Sequence, residues 1–497
     1  MRSGVYPQSL LDALAGAPDA PAFEHGSRVL TRAELLDLVG RFRGGLRAAG
    51  LGRGSGLGVS TAVTPDAFAL HLAALTLGCR VLGLRPGLSA GQLPAALAGL
   101  DALVLDHTTD TPDLRTAAGD IQFLCLGPDL LGGYEEPVAT GDPAEVALLI
   151  LTSGSTGTPK RAALTYGALT TQWSWNPETW TAPAIRLAEA FRRFLLFGTL
   201  SSAVMQEFLG LCLCSGGTAV IPQGLPDFPA VIEDLRITAS MLTVPRLHHV
   251  LDTLRTKDVD LSTLRALIIS GSPLAPHRLT EAYQRIGPAI HQAYGQTEIG
   301  LLTLLTPTDV AAHPDTIRSV GKPYPAVTLE IRDPEHNPVP AGTSGEIWVK
   351  AAYQTVGYWN DPGQTREILQ DGWLRTRDLG RLDEHGYLYL TGRARDVVIV
   401  NAIIHYAGAI EQALASHPDV DQAYVVGAPD ERTGEAAHAF VVPVRGRVPD
   451  LAALRARVAA ELGAAAVPAT ISVRESVPVA ASDKPDKRAL LTELPRH

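Results

Sequence analysis

The stretch Val146-Ala147-Leu148-Leu149-Ile150-Leu151-Thr152-Ser153-Gly154-Ser155-Thr156-Gly157-Thr158-Pro159-Lys160 reads as a buried strand running straight into a loop closed by a lysine. The apolar run is short and continuous, as in a strand covered on both faces. The loop carries five hydroxyls and two glycines. Its backbone N–H groups, hydroxyl donors and terminal cation can wrap a polyphosphate, and its small residues let the backbone come close to one. It is not the G-x-x-x-x-G-K-[ST] loop, because Pro159 stands in place of the second Gly and Arg161 in place of Ser or Thr. Alone, such an octapeptide reads equally well as a Ser/Gly surface loop. The lysine adds weight, since the chain has only six lysines against 36 arginines.

Outward from this strand, up to about residue 300, apolar runs at 57–59, 102–105 and 267–269 alternate with longer helical patterns. That alternation predicts an α/β fold of parallel sheets covered by helices. Over 319–393 the texture changes to period-two segments, TLEIRD, GEIWVKA and GYLYLTG, between Gly, Pro and Asp turns. They predict a small antiparallel β subdomain. Beyond it, two amphipathic helices and several strands are expected, with Leu451, Leu454, Val458 and Leu462 on one helix face. The predicted division is an N-terminal domain 1–393 (α/β subdomains 1–315, β subdomain 316–393) and a C-terminal domain 394–497.

Composition bounds the function. A chain of 497 residues suits about three units of ~150 residues. With 46% apolar and 19% charged residues it is a globular chain, not a disordered one. A net charge of -10 opposes nonspecific nucleic-acid binding, which needs a basic face. Cys79, Cys125, Cys212 and Cys214 lie among apolar residues, and no second His or Cys pair completes a zinc set. They read as reduced core residues. The N-terminus lacks the features of a secretory signal, and no apolar run reaches the ~18 residues of a membrane helix. A cytoplasmic enzyme without membrane insertion, monomeric or homodimeric, is expected.

Three further elements follow the loop. In Tyr294-Gly295-Gln296-Thr297-Glu298 an aromatic can stack on a base, a hydroxyl can donate to phosphate and a carboxylate can ligate Mg2+. In Trp373-Leu374-Arg375-Thr376-Arg377-Asp378 an aspartate can accept from two ribose hydroxyls. The last element pairs Gly392-Arg393-Ala394-Arg395-Asp396 with Ser482-Asp483-Lys484. Each alone has a bland reading: a packed ring, a turn aspartate, a solvated lysine. In order and spacing the set resembles the superfamily of acyl-CoA synthetases, peptide-synthetase adenylation domains and firefly-type luciferases. The resemblance runs through LTRAELLDLVGRFRGGLRAAGLGRG near the start and HPDVDQAYVVGAPDERTGE near the end.

The resemblance implies two parallel-type α/β sheets and a small β-barrel subdomain, followed by a mobile α+β C-terminal domain. It implies ATP held by Thr152, Ser153, Gly154, Ser155, Thr156, Gly157 and Lys160, with Gly271, Ser272 and Pro273 and with Tyr294, Gly295 and Gln296 about the adenine. Thr297 would contact phosphate, Glu298 would hold Mg2+, and Asp378 and Arg393 would hold the ribose. Lys484 would bridge the substrate carboxylate and the nucleotide. A rotation about residues 393–396 would then withdraw the lysine and open a pantetheine tunnel for coenzyme A, past Asn401 and Ala402.

For the acid itself, peptide-synthetase domains carry an Asp where this chain reads Leu196-Phe197-Gly198-Thr199-Leu200-Ser201-Ser202-Ala203-Val204-Met205. With no acidic residue there, an α-amino acid is not expected. Ser201 takes the place of the histidine common in acyl-CoA synthetases. Ser201, Ser202, Met205, Met241, Ser270 and Leu302, together with Phe208, are the candidate walls of a roomy apolar pocket, or else core residues. The expected substrate is a hydrophobic monocarboxylic acid, bulky or aromatic. Departures from the family pattern are Arg377 and Asp483 where glycines are usual, Asn401-Ala402 for a Gly-Gly pair and Ala407 for a proline. The leading expectation is therefore an acyl-CoA synthetase. Within the same fold the alternative performs one half-reaction or loads a carrier protein, and in another class stands a catalytically silent nucleotide-binding protein.

Overall fold

The computed structural model describes residues 4–85, 87–152, 159–173, 182–394, 396–401, 403–479 and 485–494. The loop residues Ser153, Gly154, Ser155, Thr156 and Gly157, and likewise Ala402, Asp483 and Lys484, lie outside them.

Two large sheets form the first part of the chain. The six-stranded sheet runs Gln122–Cys125, Ala102–Leu105, Gly56–Ser60, Arg80–Gly83, Val146–Thr152, Lys160–Thr165. Its first five strands are parallel, and the last returns antiparallel. The nine-stranded sheet is parallel through Ile290–Gln296, Ala266–Ser270, Ala239–Thr243, Arg193–Leu195, Thr218–Ile221 and Pro21–His25. Antiparallel strands flank this centre: Gly300–Leu305 and Lys322–Pro323 on one side, Arg28–Thr31 on the other. The sheets are thus mixed rather than wholly parallel. Central strands such as Ala266–Ser270 are apolar and buried on both faces, whereas the returning strands are tight hairpin partners that need no crossover helix.

The segment with period-two texture forms a five-stranded antiparallel sheet, Val327–Arg332, Gly345–Ala351, Trp373–Leu382, Leu369–Gln370, with Leu388–Arg393 also paired to the long strand Trp373–Leu382. The expected barrel is an open, curled sheet. Its path ends at Val327–Arg332 and at the two-residue strand Leu369–Gln370, and those ends do not pair with each other.

Sheet membership changes after Arg393. Val397–Val400, Ile403–Tyr406, Val420–Asp430, Gly434–Pro443 and Thr470–Val473 make a separate five-stranded sheet covered by Ala407–Ala415 and Leu451–Leu462. In the second helix Leu454 and Val458 are fully buried, but Leu451 and Leu462 are over a third exposed. The expected stripe is covered only through its middle. Of the cysteines, Cys79 and Cys212 are buried as expected, while Cys125, at the end of the edge strand Gln122–Cys125, is exposed. Among the described residues no helix is long and apolar enough to cross a membrane.

Candidate active site

In an open α/β sheet, ligands gather beyond the carboxyl ends of the parallel strands. Here that edge is where the singled-out segments emerge. Residues 196–202 follow Arg193–Leu195, Ser270 to Pro273 end the strand Ala266–Ser270, and Tyr294 to Glu298 end Ile290–Gln296. The two sheets also approach each other there. A Cβ on Gly83, at the end of a strand of the smaller sheet, would fall 2.6 Å from Ser201 Cα. Gly271 adopts a φ of +97°, a turn that suits a residue without a side chain.

The phosphate loop is closed at its stem. Thr152 and Lys160 face each other across the antiparallel pair Val146–Thr152/Lys160–Thr165. Lys160 Nζ donates to Gln364 Oε1 at 2.5 Å and lies 5.0 Å from the centre of the Tyr358 ring. Tyr358 in turn donates its hydroxyl to Glu298 Oε1 at 2.7 Å. The segment around Tyr358 clamps both sides, since Trp359 N donates to Arg161 O and Thr355 N to Glu298 O. One chain of contacts therefore links the loop's lysine to the carboxylate expected to hold a metal. Gln364 and Tyr358 belong to no motif read from the sequence. An irregular segment such as 355–361 carries no periodicity to mark it.

The second cluster centres on Asp378, whose side chain is buried. Its Oδ2 accepts from Tyr294 Oη at 2.8 Å and from Gln296 Nε2 at 2.6 Å, and its Oδ1 accepts from Arg393 Nε at 3.0 Å. Cross-strand register brings Arg393 opposite Asp378. Burial first, then the Asp378 charge, pushes the Tyr294 hydroxyl well up, so it remains a donor. A carboxylate has about four acceptor positions, so three donors leave Oδ1 one open. Arg393 is the partner that can give way, its side chain being 68% exposed. Thr297 and Glu298 follow Gln296 directly and are half-buried.

Arg377 does not crowd Asp378. Strand alternation sends its side chain to the other face, where it binds Glu367 at 2.6 Å in an open groove of about 650 Å³. Its φ of +60° accounts for the glycine usual there, because this backbone geometry favours residues without a Cβ. Asn401 likewise holds φ +51°, which asparagine tolerates. Ala407 N donates to Asp396 O at 2.9 Å, a bond a proline could not make.

Among the candidate pocket residues, Ser201, Ser202 and Met205 are half-buried at the start of the helix Ala203–Cys214, and Ser202 Oγ caps it by accepting from Met205 N. Ser201 Oγ accepts from Thr199 Oγ1 at 3.0 Å, and Ser270 is half-buried. Met241 is nearly buried at 8% exposure. Leu302 and Phe208 pack as core residues, the second of the two readings open to them. Leu302 is fully buried in the core beneath the sheet, because in a strand it points opposite to its half-buried neighbour Leu301. Phe208 stacks on Phe191 at 5.2 Å. No group of three or more His, Cys, Asp or Glu suited to a metal occurs among the described residues. Glu298 alone suits Mg2+ carried with a polyphosphate, which needs only one or two carboxylates.

Comparison with known proteins sets this geometry in a family. The AMP-binding enzyme model matches residues 10–359, and the AMP-binding enzyme C-terminal domain model matches 409–484. The chain is 32% identical to a feruloyl-CoA synthase of an Amycolatopsis species, over 94% of each chain. It is 30% identical to a medium/long-chain fatty-acid–CoA ligase of Mycobacterium tuberculosis, over 97% of this chain and 88% of that one. The amide bond synthetase McbA of Marinactinospora thermotolerans superimposes with a TM-score of 0.84 at 32% identity, over 98% of this chain and 99% of that one.

Proposed function

Because the chain belongs to the AMP-binding, adenylate-forming enzyme family, whose members typically bind ATP, we propose that it couples a hydrophobic carboxylic acid to ATP. The products are an acyl-adenylate and pyrophosphate, and the acyl group then passes to the thiol of coenzyme A. The observation that carries this reading is the convergence on one short segment of both halves of a nucleotide site. Tyr294 and Gln296 reach Asp378 on one side, and Glu298 reaches Lys160 through Tyr358 on the other.

The chemistry follows from charge. An acid carboxylate must approach an α-phosphate that is itself negative, so the site has to supply cations and exclude water. Lys160 would face the polyphosphate, and residues 153–158, outside the described residues, are expected by their chemistry to supply further donors. Lys484 approaches the forming acyl–phosphate bond from the C-terminal domain, which begins at residue 394 and turns about 393–396. A preorganised cation of this kind is worth ~10² to 10³ in rate. Glu298 would hold the Mg2+ carried with ATP, which would supply further charge neutralisation. Asp378 takes the ribose hydroxyls as Arg393 swings aside. The acid has a bulky or aromatic body, since Gly198, Ser201, Ser202, Ser270, Gly271 and Ser272 are small and the relatives include a feruloyl-CoA synthase.

The test is purified protein with ATP, Mg2+ and a panel of hydrophobic acids, read as pyrophosphate release and then by mass spectrometry with CoA or a pantetheinylated carrier protein. Release with thioester formation on CoA is the expected result. Release without CoA thioester, but with carrier loading or with amide from a supplied amine, moves the acceptor and keeps the first half-reaction. Thioester from synthetic acyl-adenylate without release leaves a one-step enzyme. Silence in all arms leaves a nucleotide-binding protein.

A further inference from the structure

Three residues after Lys484 comes another of the chain's six lysines, and two carboxylates hold it. Lys487 opens the helix Lys487–Thr492 and is half-buried. Its Nζ binds Asp396 Oδ2 and Glu411 Oε1, the latter at 2.6 Å. Burial works against the Lys487 ammonium, but Glu411 and Asp396 outweigh it and hold the group above its usual range. The two partners come from different places. Glu411 lies in the helix Ala407–Ala415, where its Oε1 also accepts from Val425 N at 2.8 Å. Asp396 belongs to the turn between the domains: its N donates to Arg393 O at 3.1 Å, and its O accepts from Ala407 N.

Lys487 stands at the stem of the segment that carries Lys484. Val479 and Pro485 face each other in an antiparallel bridge, and Asp486 N donates to Pro478 O at 2.8 Å. The chain therefore enters and leaves residues 480–484 at one closed point, and Lys484 directly precedes Pro485. Asp486 then caps the helix Lys487–Thr492, accepting from Arg488 N and Ala489 N. That helix already has an apolar anchor, since Leu490 is fully buried against Val426 and Phe440. A partly buried ion pair adds little net stability over an apolar filling, and its best-attested use is to fix one register. What the Lys487 pairs add to the Leu490 anchor is direction, because one of them ties the stem to the turn between the domains.

We propose that Lys487 is a positioning residue for adenylation: through Asp396 it fixes the stem of the segment bearing Lys484 to the turn between the domains, so that stem and turn move as one body. The inference rests on the adenylation reading and deepens it. Lys487 is itself committed, its ammonium being shared between two carboxylates. Its effect on the chemistry therefore passes through Lys484, which serves only the first half-reaction. A misplacement of 1 Å in a reacting group costs up to ~10²-fold in rate, and a loosened stem acts in that way.

The test compares the wild type with Asp396→Asn, with Lys487→Arg and with Lys487→Met/Glu411→Gln, a pair of changes that leaves no unpaired charge at position 411. Three quantities are read for each: pyrophosphate release with the panel of hydrophobic acids, thioester formation from synthetic acyl-adenylate and CoA, and hydrogen–deuterium exchange of peptides spanning 476–487. Asp396→Asn and Lys487→Met/Glu411→Gln are expected to lower release ~10-fold or more and to speed exchange at the stem, with thioester formation within ~2-fold of the wild type. Lys487→Arg should restore most of the release. Asp396→Asn added to the double variant should cost nothing further, as for residues acting through one contact. Equal losses in both half-reactions would make Lys487 merely structural and overturn the inference, as would undiminished release in Lys487→Met/Glu411→Gln. If the wild type releases no pyrophosphate, the adenylation reading fails by itself and exchange decides the rest: faster exchange at 476–487 in Asp396→Asn keeps the tie between stem and turn, and unchanged exchange removes it.

Discussion

Asp378 is the residue whose removal should be felt in both half-reactions, because it would hold the nucleotide before and after the adenylate forms. Each hydrogen bond to a charged group is worth ~1.5 to 3 kcal/mol. Asp378→Ala is therefore expected to lower pyrophosphate release and thioester formation from supplied acyl-adenylate by ~10- to 100-fold alike. A loss confined to one of the two would remove the ribose assignment. Arg377→Gly should act in the opposite sense and only on stability. The left-handed backbone costs a non-glycine residue ~1 to 2 kcal/mol, while the half-exposed pair with Glu367 returns at most ~1 kcal/mol. Denaturant titration should show a gain of about 0.5 to 1 kcal/mol with adenylation unchanged, since the side chain faces away from Asp378. Glu207 supplies the pH test. Burial drives its folded-state carboxyl up to about 8, above the 4.5 of an ordinary glutamate, against the hydrogen bonds of Gln172 and Trp173 that pull it down. The folded protein then holds the proton more tightly than the unfolded chain, so stability falls as pH rises from 4.5 to 8. Relative to wild type, Glu207→Gln should gain stability across that window, with a ceiling of roughly 5 kcal/mol, and level off above it.

Among elements, the helix Leu451–Leu462 shows what periodicity can and cannot give. Spacing of three and four put Leu451, Leu454, Val458 and Leu462 on one face, and they are on one face. Only Leu454 and Val458 are covered, since coverage depends on which neighbouring elements reach each turn of the helix. Leu454→Ala should cost ~2 to 5 kcal/mol in unfolding free energy, and Leu451→Ala within ~0.5 kcal/mol as at a surface position. Equal losses would mean the helix ends are packed. The same division runs through the fold and the site. Apolar runs such as 146–151 and 267–269 were legible as strands because two-sided burial leaves a compositional mark. The antiparallel returns, Lys160–Thr165 and Gly300–Leu305, were not, because strand direction is set by a turn and by partners far away. Asp378 and Arg393 stood out within motifs, and cross-strand register brings them together. Tyr358 lies in an irregular segment and Gln364 in the short helix Pro362–Ile368, and neither belongs to a motif read from the sequence. Positive φ at Arg377 and Asn401 explains two departures that composition alone made look disruptive.

For the molecule as a whole, the question is what holds the C-terminal domain where it sits. Its docking runs through a buried ion pair, Arg278 with Asp421, the arginine also binding Glu281 at 2.9 Å. Gln422 Nε2 meets His248 Nδ1 at 3.0 Å, and Gln412 Nε2 donates to Leu390 O at 2.8 Å. Near the turn between domains, Ala394 N donates to Arg377 O at 2.8 Å, and Lys487 binds Asp396 and Glu411 within the C-terminal domain. If catalysis turns this domain about 393–396, the Arg278–Asp421 pair must open at each cycle, and its strength sets how long the pose lasts. Removing one partner of a buried pair costs ~3 to 5 kcal/mol when the other stays buried. Here undocking returns Arg278 to water, so the loss appears as domain release rather than unfolding. Asp421→Asn should therefore speed tryptic cleavage at Arg393 and Arg395 by ~10-fold or more while the melting of each domain core is unchanged. Acid should act through the same surface. Burial drives the His248 imidazole down to about 4, against 6.5 when free, with Asp421 and Glu281 pulling it up and Arg278 and His277 pushing it down. The undocked histidine takes up a proton below pH 6.5 that the docked one refuses until pH 4. Docking thus weakens as pH falls through that window and is insensitive above it. Cleavage between the domains should rise from pH 6.5 toward 4 in the wild type, and His248→Gln should flatten the rise. Cleavage that rises equally in His248→Gln would place the acid response at some other contact, and unchanged cleavage in Asp421→Asn would mean the ion pair does not hold the domain.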